Sequence, residues 1–289
     1  MTAKYAIIIA ILSLSSCQKV AIISDTDQNT PAEKPTNSQV ADARPVIPQL
    51  DQTAWEIVSV NGIATEGVAP NKARIEFAKG NAVGSSGCNS FGGLYAQIGT
   101  KLYFGRSIST EMGCSGALGT QEKALYSLLT GITEAQVDKE GRILVTSGTQ
   151  KAMLKRDKNC TSCASAGQPV VNLVGPVWKI QTINGKQPIG LNIFKNENDY
   201  VLKFTADVYQ LRVGCNYVSG SYQKDGNRLV TQSGVSTIIG CPPGLAEQEQ
   251  LVGRILSEKP VIVHGFNMDM MLASKAGMLE LQGPPDQRK

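Results

Sequence analysis

Apolar and polar positions alternate along the chain in short runs broken by turns, with two longer stretches of helical period. Trp55-Glu56-Ile57-Val58-Ser59-Val60 alternates as a strand, and Asn61-Gly62 after it is a hairpin turn pair, since both residues tolerate positive φ. Arg74-Ile75-Glu76-Phe77 is predicted as the next strand, closed by Lys79-Gly80-Asn81, and Ala82–Gly87 leads into Cys88-Asn89. A glycine-rich bend is expected at Gly92-Gly93, followed by Leu94-Tyr95-Ala96, a turn at Gly99 and a strand from Leu102 towards Ile108-Ser109-Thr110. Leu125, Leu128, Leu129 and Ile132 recur at helical spacing. Thr120 is the expected N-cap of that helix, and Glu122 would sit in its first turn, where a carboxylate suits the helix dipole. A hairpin from Ala135 to Val145 and a strand at Ala152–Lys155 complete the unit.

The same order of elements then recurs. Gly87-Cys88-Asn89-Ser90-Phe91-Gly92-Gly93-Leu94-Tyr95 is matched by Gly214-Cys215-Asn216-Tyr217-Val218-Ser219-Gly220-Ser221-Tyr222. The offset of 127 residues holds without a gap from Arg74–Arg156 to Val201–Gly283, with 16 identities in the 56 positions Arg74–Leu129. Trp178–Gly185 repeats Trp55–Gly62 at an offset of 123, so the second copy carries four extra residues before its second strand. Leu251, Val252, Ile255 and Leu256 give its helix, expected to start near Leu245 after Pro242-Pro243-Gly244 and to stop at Pro260. Strands are expected at Tyr200–Phe204, Val208–Val213, Leu229-Val230, Val261–Val263, Met270–Leu272 and Met278–Leu281.

The N-terminus has a different pattern. Lys4 precedes the apolar run Ala6–Leu12 and small residues follow, as in an export signal too short to span a bilayer. Its close, Leu14-Ser15-Ser16-Cys17, resembles the lipobox of bacterial lipoproteins, which implies cleavage before Cys17 and acylation of that residue. With Gln18 next, the expected address is the outer membrane, facing the periplasm. The polar, proline-bearing stretch after it reads as a tether. The division is therefore 1–17 signal, 18–49 tether, 50–157 first domain, 158–172 linker, 173–283 second domain and 284–289 tail.

Composition narrows the function classes. The chain is 42% apolar and 18% charged, as expected of folded domains, and its net charge of +4 comes with no dense Lys/Arg block, so nucleic acid is not an expected partner. Lys155-Arg156-Asp157-Lys158 contains an acid and reads as solvated surface. Seven cysteines become an even set once Cys17 has its own role, which favours an oxidising compartment. Cys88/Cys114 and Cys215/Cys241 are each 26 apart; one disulfide per domain is the expectation, and buried free thiols are the alternative. Cys160-Thr161-Ser162-Cys163 has redox-pair spacing but sits in a linker, where a structural disulfide is expected. No cofactor or metal is expected: His264 is the only histidine and lacks a nucleophile partner, and no phosphate loop or dinucleotide fingerprint occurs.

G-C-N-x-F-x-G-x-Y, then S/T-T-x-x-x-C, a glutamate eight residues on and a helix, resembles the META/HslJ domain family. Copy one matches through Gly87, Cys88, Asn89, Phe91, Gly93, Tyr95 and Glu122. Copy two matches through Gly214, Cys215, Asn216, Gly220, Tyr222 and Glu249, with Val218 at the aromatic position. The resemblance implies an α+β fold of two tandem domains, each a strongly curved antiparallel sheet, or partly open barrel, with one helix packed against it. It implies no catalytic residues.

On the residues themselves, Asn89 and Asn216 are expected to hold the bend, the glycines to shape it, and Glu122 and Glu249 to serve at helix starts. Tyr95, Tyr222, Trp55 and Trp178 are expected to pack between sheet and helix. The leading functional reading is a non-catalytic envelope lipoprotein acting as a tandem binding or scaffold module. The alternatives are a pilot-like protein holding a lipid or envelope-protein segment in a groove, with Met268, Met270, Met271 and Met278 as possible lining, and a thiol–disulfide enzyme using Cys160/Cys163.

Overall fold

The computed structural model describes residues 46–67, 71–164, 172–190, 200–265 and 268–284. The signal segment, Cys17, the tether up to residue 45 and the tail from 285 lie outside the described residues. The first copy consists of β1 (Thr53–Val60), β2 (Ile63–Ala64), β3 (Ala73–Ala78), β4 (Asn81–Ser86), β5 (Ser90–Ile98), β6 (Lys101–Ser109), α1 (Gly116–Leu128), β7 (Gly131–Val137), β8 (Ile143–Ser147) and β9 (Gln150–Asp157). Its strands pair antiparallel in the order β2-β1-β3-β4-β5-β6-β7-β8-β9, and β1 pairs again with β9, so the sheet closes on itself. Alternation places Trp55 and Ile57 of β1 inside, with Ile75, Phe77, Leu102 and Ile143 around them. Helix α1 lays Leu125 and Leu128 into this core and covers β9, β8, β1 and β4.

The second copy follows the same plan with β10 (Val177–Ile183), β11 (Tyr200–Phe204), β12 (Val208–Val213), β13 (Tyr217–Asp225), β14 (Arg228–Thr231), β15 (Val235–Ser236), α2 (Pro243–Ser257), β16 (Val261–His264), β17 (Asp269–Ser274) and β18 (Gly277–Gln282). Its order is β12-β11-β10-β18-β17-β16-β14-β13-β15, closed by β12 with β13. Where copy one has one long β6, copy two breaks into β14 and β15. Both barrels kink their first strand at the same place: the register shifts between Ile57 and Ser59 on β1 and between Ile180 and Thr182 on β10.

Three local expectations are corrected. Helix α1 begins at Gly116 behind Ser115, so Thr120 and Glu122 lie past the first turn; the Thr120 hydroxyl bonds back to the Gly116 carbonyl at 3.2 Å. Ile132 belongs to β7, because Gly131 at φ 77° turns the chain out of the helix. Gly92-Gly93 is no bend but part of β5, with a bulge between Gly93 and Tyr95. Helix α2 does start near Leu245, at Pro243, since a proline at the first helical position has no hydrogen bond to lose.

The barrels dock through a third hydrophobic core. Leu94, Ala96 and Tyr103 of copy one meet Val263, Met271, Ala273 and Met278 of copy two. A large side chain fully buried this way stabilises by about 1.5–3 kcal/mol. The Asn184-Gly185 turn presses on Gly131 so closely that a Cβ on Gly185 would sit 2.7 Å from the Gly131 Cα. Beside this core Glu280, 3% exposed, accepts from the Arg106 backbone N–H (3.0 Å), from Arg106 Nε (3.3 Å) and from the Thr182 hydroxyl (3.1 Å). The charge of a buried carboxylate is thus met from both barrels.

Candidate functional site

In each copy the repeated stretch leaves one strand, turns, and enters the next. The Ser86 N–H closes the first turn on the Asn89 carbonyl at 2.8 Å. Gly87 sits at φ 97° and Gly214 at φ 91°, a region that favours glycine, and a Cβ on Gly87 would also run into the Glu66 carbonyl. Asn89 is the hub. Its Nδ2 donates to Glu122 Oε1 (3.1 Å), the Met112 carbonyl (3.0 Å) and Cys114 Sγ (3.2 Å), and its Oδ1 accepts from the Thr110 hydroxyl and the Met112 N–H, both at 2.8 Å. Asn216 repeats the set with Glu249 Oε2 (2.9 Å), the Ile239 carbonyl (3.4 Å), Cys241 Sγ (3.1 Å), the Thr237 hydroxyl (2.9 Å) and the Ile239 N–H (2.8 Å).

The glutamates are bend ligands and not helix-start residues. Both sit about two turns into their helices and face the bend. Glu122 Oε2 accepts from the Ser86 hydroxyl (2.5 Å) and the Asn89 N–H (3.3 Å). Glu249 Oε1 accepts from the Cys215 N–H (3.1 Å) and the Asn216 N–H (2.5 Å). Disulfides join Cys88 to Cys114 and Cys215 to Cys241, with Cα atoms 6.3 and 6.0 Å apart. The sulfurs and the carboxylate lie within 4.8 Å of one another in each copy. With the sulfurs bonded to each other, the arrangement locks the bend and offers no thiolate to a metal.

One pair of residues was missed from sequence. Gln121 and Gln248 are both 8% exposed. Gln121 accepts from the Glu66 N–H (2.8 Å) and donates to the Glu66 and Ser86 carbonyls (2.9 and 2.6 Å), while Gln248 accepts from the Ile189 N–H (2.7 Å). Their identity at the 127-residue offset was the available signal.

Cys160 and Cys163 are also joined, in a linker loop that docks on β3. The 2%-exposed Glu76 carboxylate accepts from the Ser162 N–H (2.7 Å) and from the Thr161 N–H (3.2 Å) and hydroxyl (2.9 Å), and Arg74 lies 2.5 Å away. Burial alone would raise its pKa; the hydrogen bonds from Ser162 and Thr161 outweigh that and hold it at about 2. In a reactive C-x-x-C pair, backbone N–H groups and the absence of nearby anions stabilise the first thiolate. Here an ionised carboxylate takes those N–H groups. The loop is built as an anchor.

The aromatic positions and three of the four methionines are core, and Met268 packs against the second core partly buried. Tyr95 packs on Phe77 with ring centroids 4.5 Å apart and reaches Gln97 Oε1 through its hydroxyl (3.0 Å). Tyr222 donates to the Thr205 carbonyl (2.7 Å), Trp55 to the Thr53 hydroxyl (2.6 Å) and Trp178 to the Leu173 carbonyl (3.1 Å). Met270, Met271 and Met278 are fully buried, so they line no groove; Met270 fills the second barrel and the other two fill the interface. The void left inside the first barrel is about 10 Å³, room for one water at most. His264 Nδ1 is buried and has no hydrogen-bond partner among the described residues; burial first and then Lys224 lower its pKa.

The META domain model matches residues 48–159 and again 171–281. The chain belongs to the META domain family, as a tandem pair. It is similar to a protein from Burkholderia xenovorans solved by NMR, at 24% identity and a TM-score of 0.32, over 48% of this chain and all of that one. A second NMR structure is similar at 20% identity and a TM-score of 0.32, over 37% of this chain and 87% of that one. No curated protein matches. No catalytic residues are identified in the family assignment, and among the described residues no helix is long and apolar enough to cross a membrane.

Proposed function

We propose that the chain is a non-catalytic cell-envelope lipoprotein whose tandem META module binds or scaffolds partners from its outer surface. The observation that carries this reading is the filling of the interior. The first barrel has a void of about 10 Å³, and the Met and Leu side chains of β17 and β18 fill the second barrel and the interface. With these described interiors filled, the outer surface is what the module offers to a partner. The lipoprotein part rests on Leu14-Ser15-Ser16-Cys17, with outer-membrane placement facing the periplasm.

A pilot-like reading has one supporting observation, an open depression of about 820 Å³ beside Tyr222, bordered by Leu173, Val174, Ala206 and Lys224. It could seat a lipid or envelope-protein segment on the outside of the second barrel. Labelling with radioactive palmitate, followed by membrane fractionation, tests the anchor: the natural chain should be labelled and sediment with membranes, and a Cys17→Ala chain should do neither. An unlabelled natural chain overturns the lipoprotein reading. Mass spectrometry of what co-purifies in detergent separates the two surface readings: an envelope-protein segment or lipid lost on Ala206→Trp supports the pilot-like one.

A further inference from the structure

We infer that the first barrel carries a binding site for a phosphate-bearing anion, in a cleft between the starts of β1 and β3 and the end of β9. This open cleft of about 600 Å³ is bordered by Lys72, Arg74, Lys155, Arg156 and Lys158, with Glu56 and Asp157 as its two acids. The inference deepens and rests on the surface-binding reading by naming a ligand class.

The fold brings these cations together from distant parts of the chain. Arg74 on β3 and Lys155 on β9 both stand opposite Glu56 of β1, so the three side chains form one row across adjacent strands. Two of the cations are held in place. Arg74 Nη2 donates to the Asn159 carbonyl at 2.8 Å and lies 2.5 Å from Glu76 and 3.6 Å from Asp157. The Arg156 guanidinium rests 5.1 Å from the Trp55 ring centre. Lys72, Lys155 and Lys158 are exposed, and among the described residues none of them makes an ion pair. Placed guanidinium groups flanked by ammonium groups that make no ion pair suit an oxyanion with more than one negative charge.

The second copy is the control. At the 127-residue offset Arg74, Lys155 and Arg156 become Val201, Gln282 and Gly283. Copy two closes the same barrel without them, so the fold does not require these three cations. Arg74 is matched by Glu76 and Asp157, and the exposed lysines around it, outside any ion pair among the described residues, are what the acids leave over.

Such an anion could be a free polyphosphate or the headgroup of an anionic lipid. The test uses the chain without residues 1–17, which retains every described element. One arm titrates inorganic pyrophosphate by calorimetry in about 0.15 M salt, where long-range attraction is screened. The other measures co-sedimentation with vesicles of phosphatidylcholine, with and without phosphatidylglycerol. Pyrophosphate binding without vesicle binding identifies a free phosphate ligand; binding to the phosphatidylglycerol vesicles identifies a headgroup. In either case a Lys72→Gln/Lys155→Gln/Lys158→Gln chain with unchanged Tm should bind about a hundredfold more weakly, since each lysine near an anionic surface contributes roughly fivefold. No binding in either arm, or binding that survives the triple substitution, overturns the site. Neither result touches the palmitate test, so the two readings can fail separately.

Discussion

The two bends share the hydrogen bonds of their asparagines and differ in what surrounds them. Around Asn89 the first copy adds Ser86, whose hydroxyl reaches Glu122, and Tyr126, whose hydroxyl lies 3.4 Å from the same carboxylate and whose ring meets Phe91 edge-on at 6.1 Å. The second copy has Val213, Gly253 and Val218 at those positions. The result shows in exposure. Cys88 and Asn89 are buried at 7% and 2%, whereas Cys215 and Asn216 are half-buried. The asparagine–glutamate–disulfide unit is therefore sufficient to form the bend, and the aromatic cover is a separate layer that keeps water from it.

The largest expected effect tests the part the copies share. Both disulfides close loops of the same separation, 26 residues, which the chain-entropy model values at about 3.5 kcal/mol each. Cys88→Ser/Cys114→Ser and Cys215→Ser/Cys241→Ser should each lower stability by that amount in urea unfolding. The copies should differ in access. With graded dithiothreitol, Cys215–Cys241 should open before Cys88–Cys114, read by alkylation and peptide mass spectrometry. Simultaneous opening would mean that the difference in burial does not control attack by thiolate.

Next in size is the hub itself. Asn89→Ala strands the Glu122 carboxylate and several backbone groups away from water, and should cost about 3 kcal/mol. Asn216→Ala leaves the same groups where water can replace the lost donor, and about 1 kcal/mol is expected. Equal losses would show that exposure in the folded state does not set the cost.

How much of this could be read in advance follows from where each signal lies. The repeat offset was enough to reveal two copies of one barrel, and Cys88, Asn89, Cys114 and their counterparts stood out because they recur. Gln121 and Gln248 recur too, but a glutamine inside a helical stretch looks like solvent-facing surface. Glu122 was misplaced because the helix starts at Ser115-Gly116, and a cap formed by backbone conformation leaves little trace in side-chain type. The docked interface had a signal that is ambiguous from sequence. Met270-Met271-Leu272-Ala273 is apolar at every position, as a strand buried on both faces must be. Met270 and Leu272 look into their own barrel, and Met271 and Ala273 look into the neighbour. Without the neighbour in view, the second pair resembles a groove lining.

A smaller effect concerns a feature that only copy one has. Glu76 is replaced by Lys203 at the offset, so the anchor of the Cys160–Cys163 loop has no twin. A carboxyl whose pKa falls from 4.5 to about 2 on folding stabilises fully above the higher value and loses that contribution as pH drops through the lower one. Melting of the first domain should therefore weaken between about pH 4.5 and pH 2, beyond the general acid loss expected in the second. In Glu76→Gln the extra weakening should disappear, at the cost of lower stability at neutral pH. An unchanged acid profile would mean that the loop is not held by an ionised carboxylate.

The smallest expected effect is the most direct on the comparison, because it transfers the cover. Gly253 is exposed on α2, and nothing lies within 4 Å of where its Cβ would be. Tyrosine therefore fits, and it stands four residues after Glu249, as Tyr126 stands four after Glu122. Replacing a helical glycine should itself add about 0.5 kcal/mol. If the ring and hydroxyl also close over the Glu249 carboxylate, Gly253→Tyr should slow reduction of Cys215–Cys241 severalfold and leave Cys88–Cys114 unchanged. Gly253→Ala separates the two contributions. It supplies a somewhat larger helix gain and no cover, so its reduction rate should match the natural chain. Equal slowing in both variants would assign the protection to a stiffer helix and remove the aromatic layer from the account.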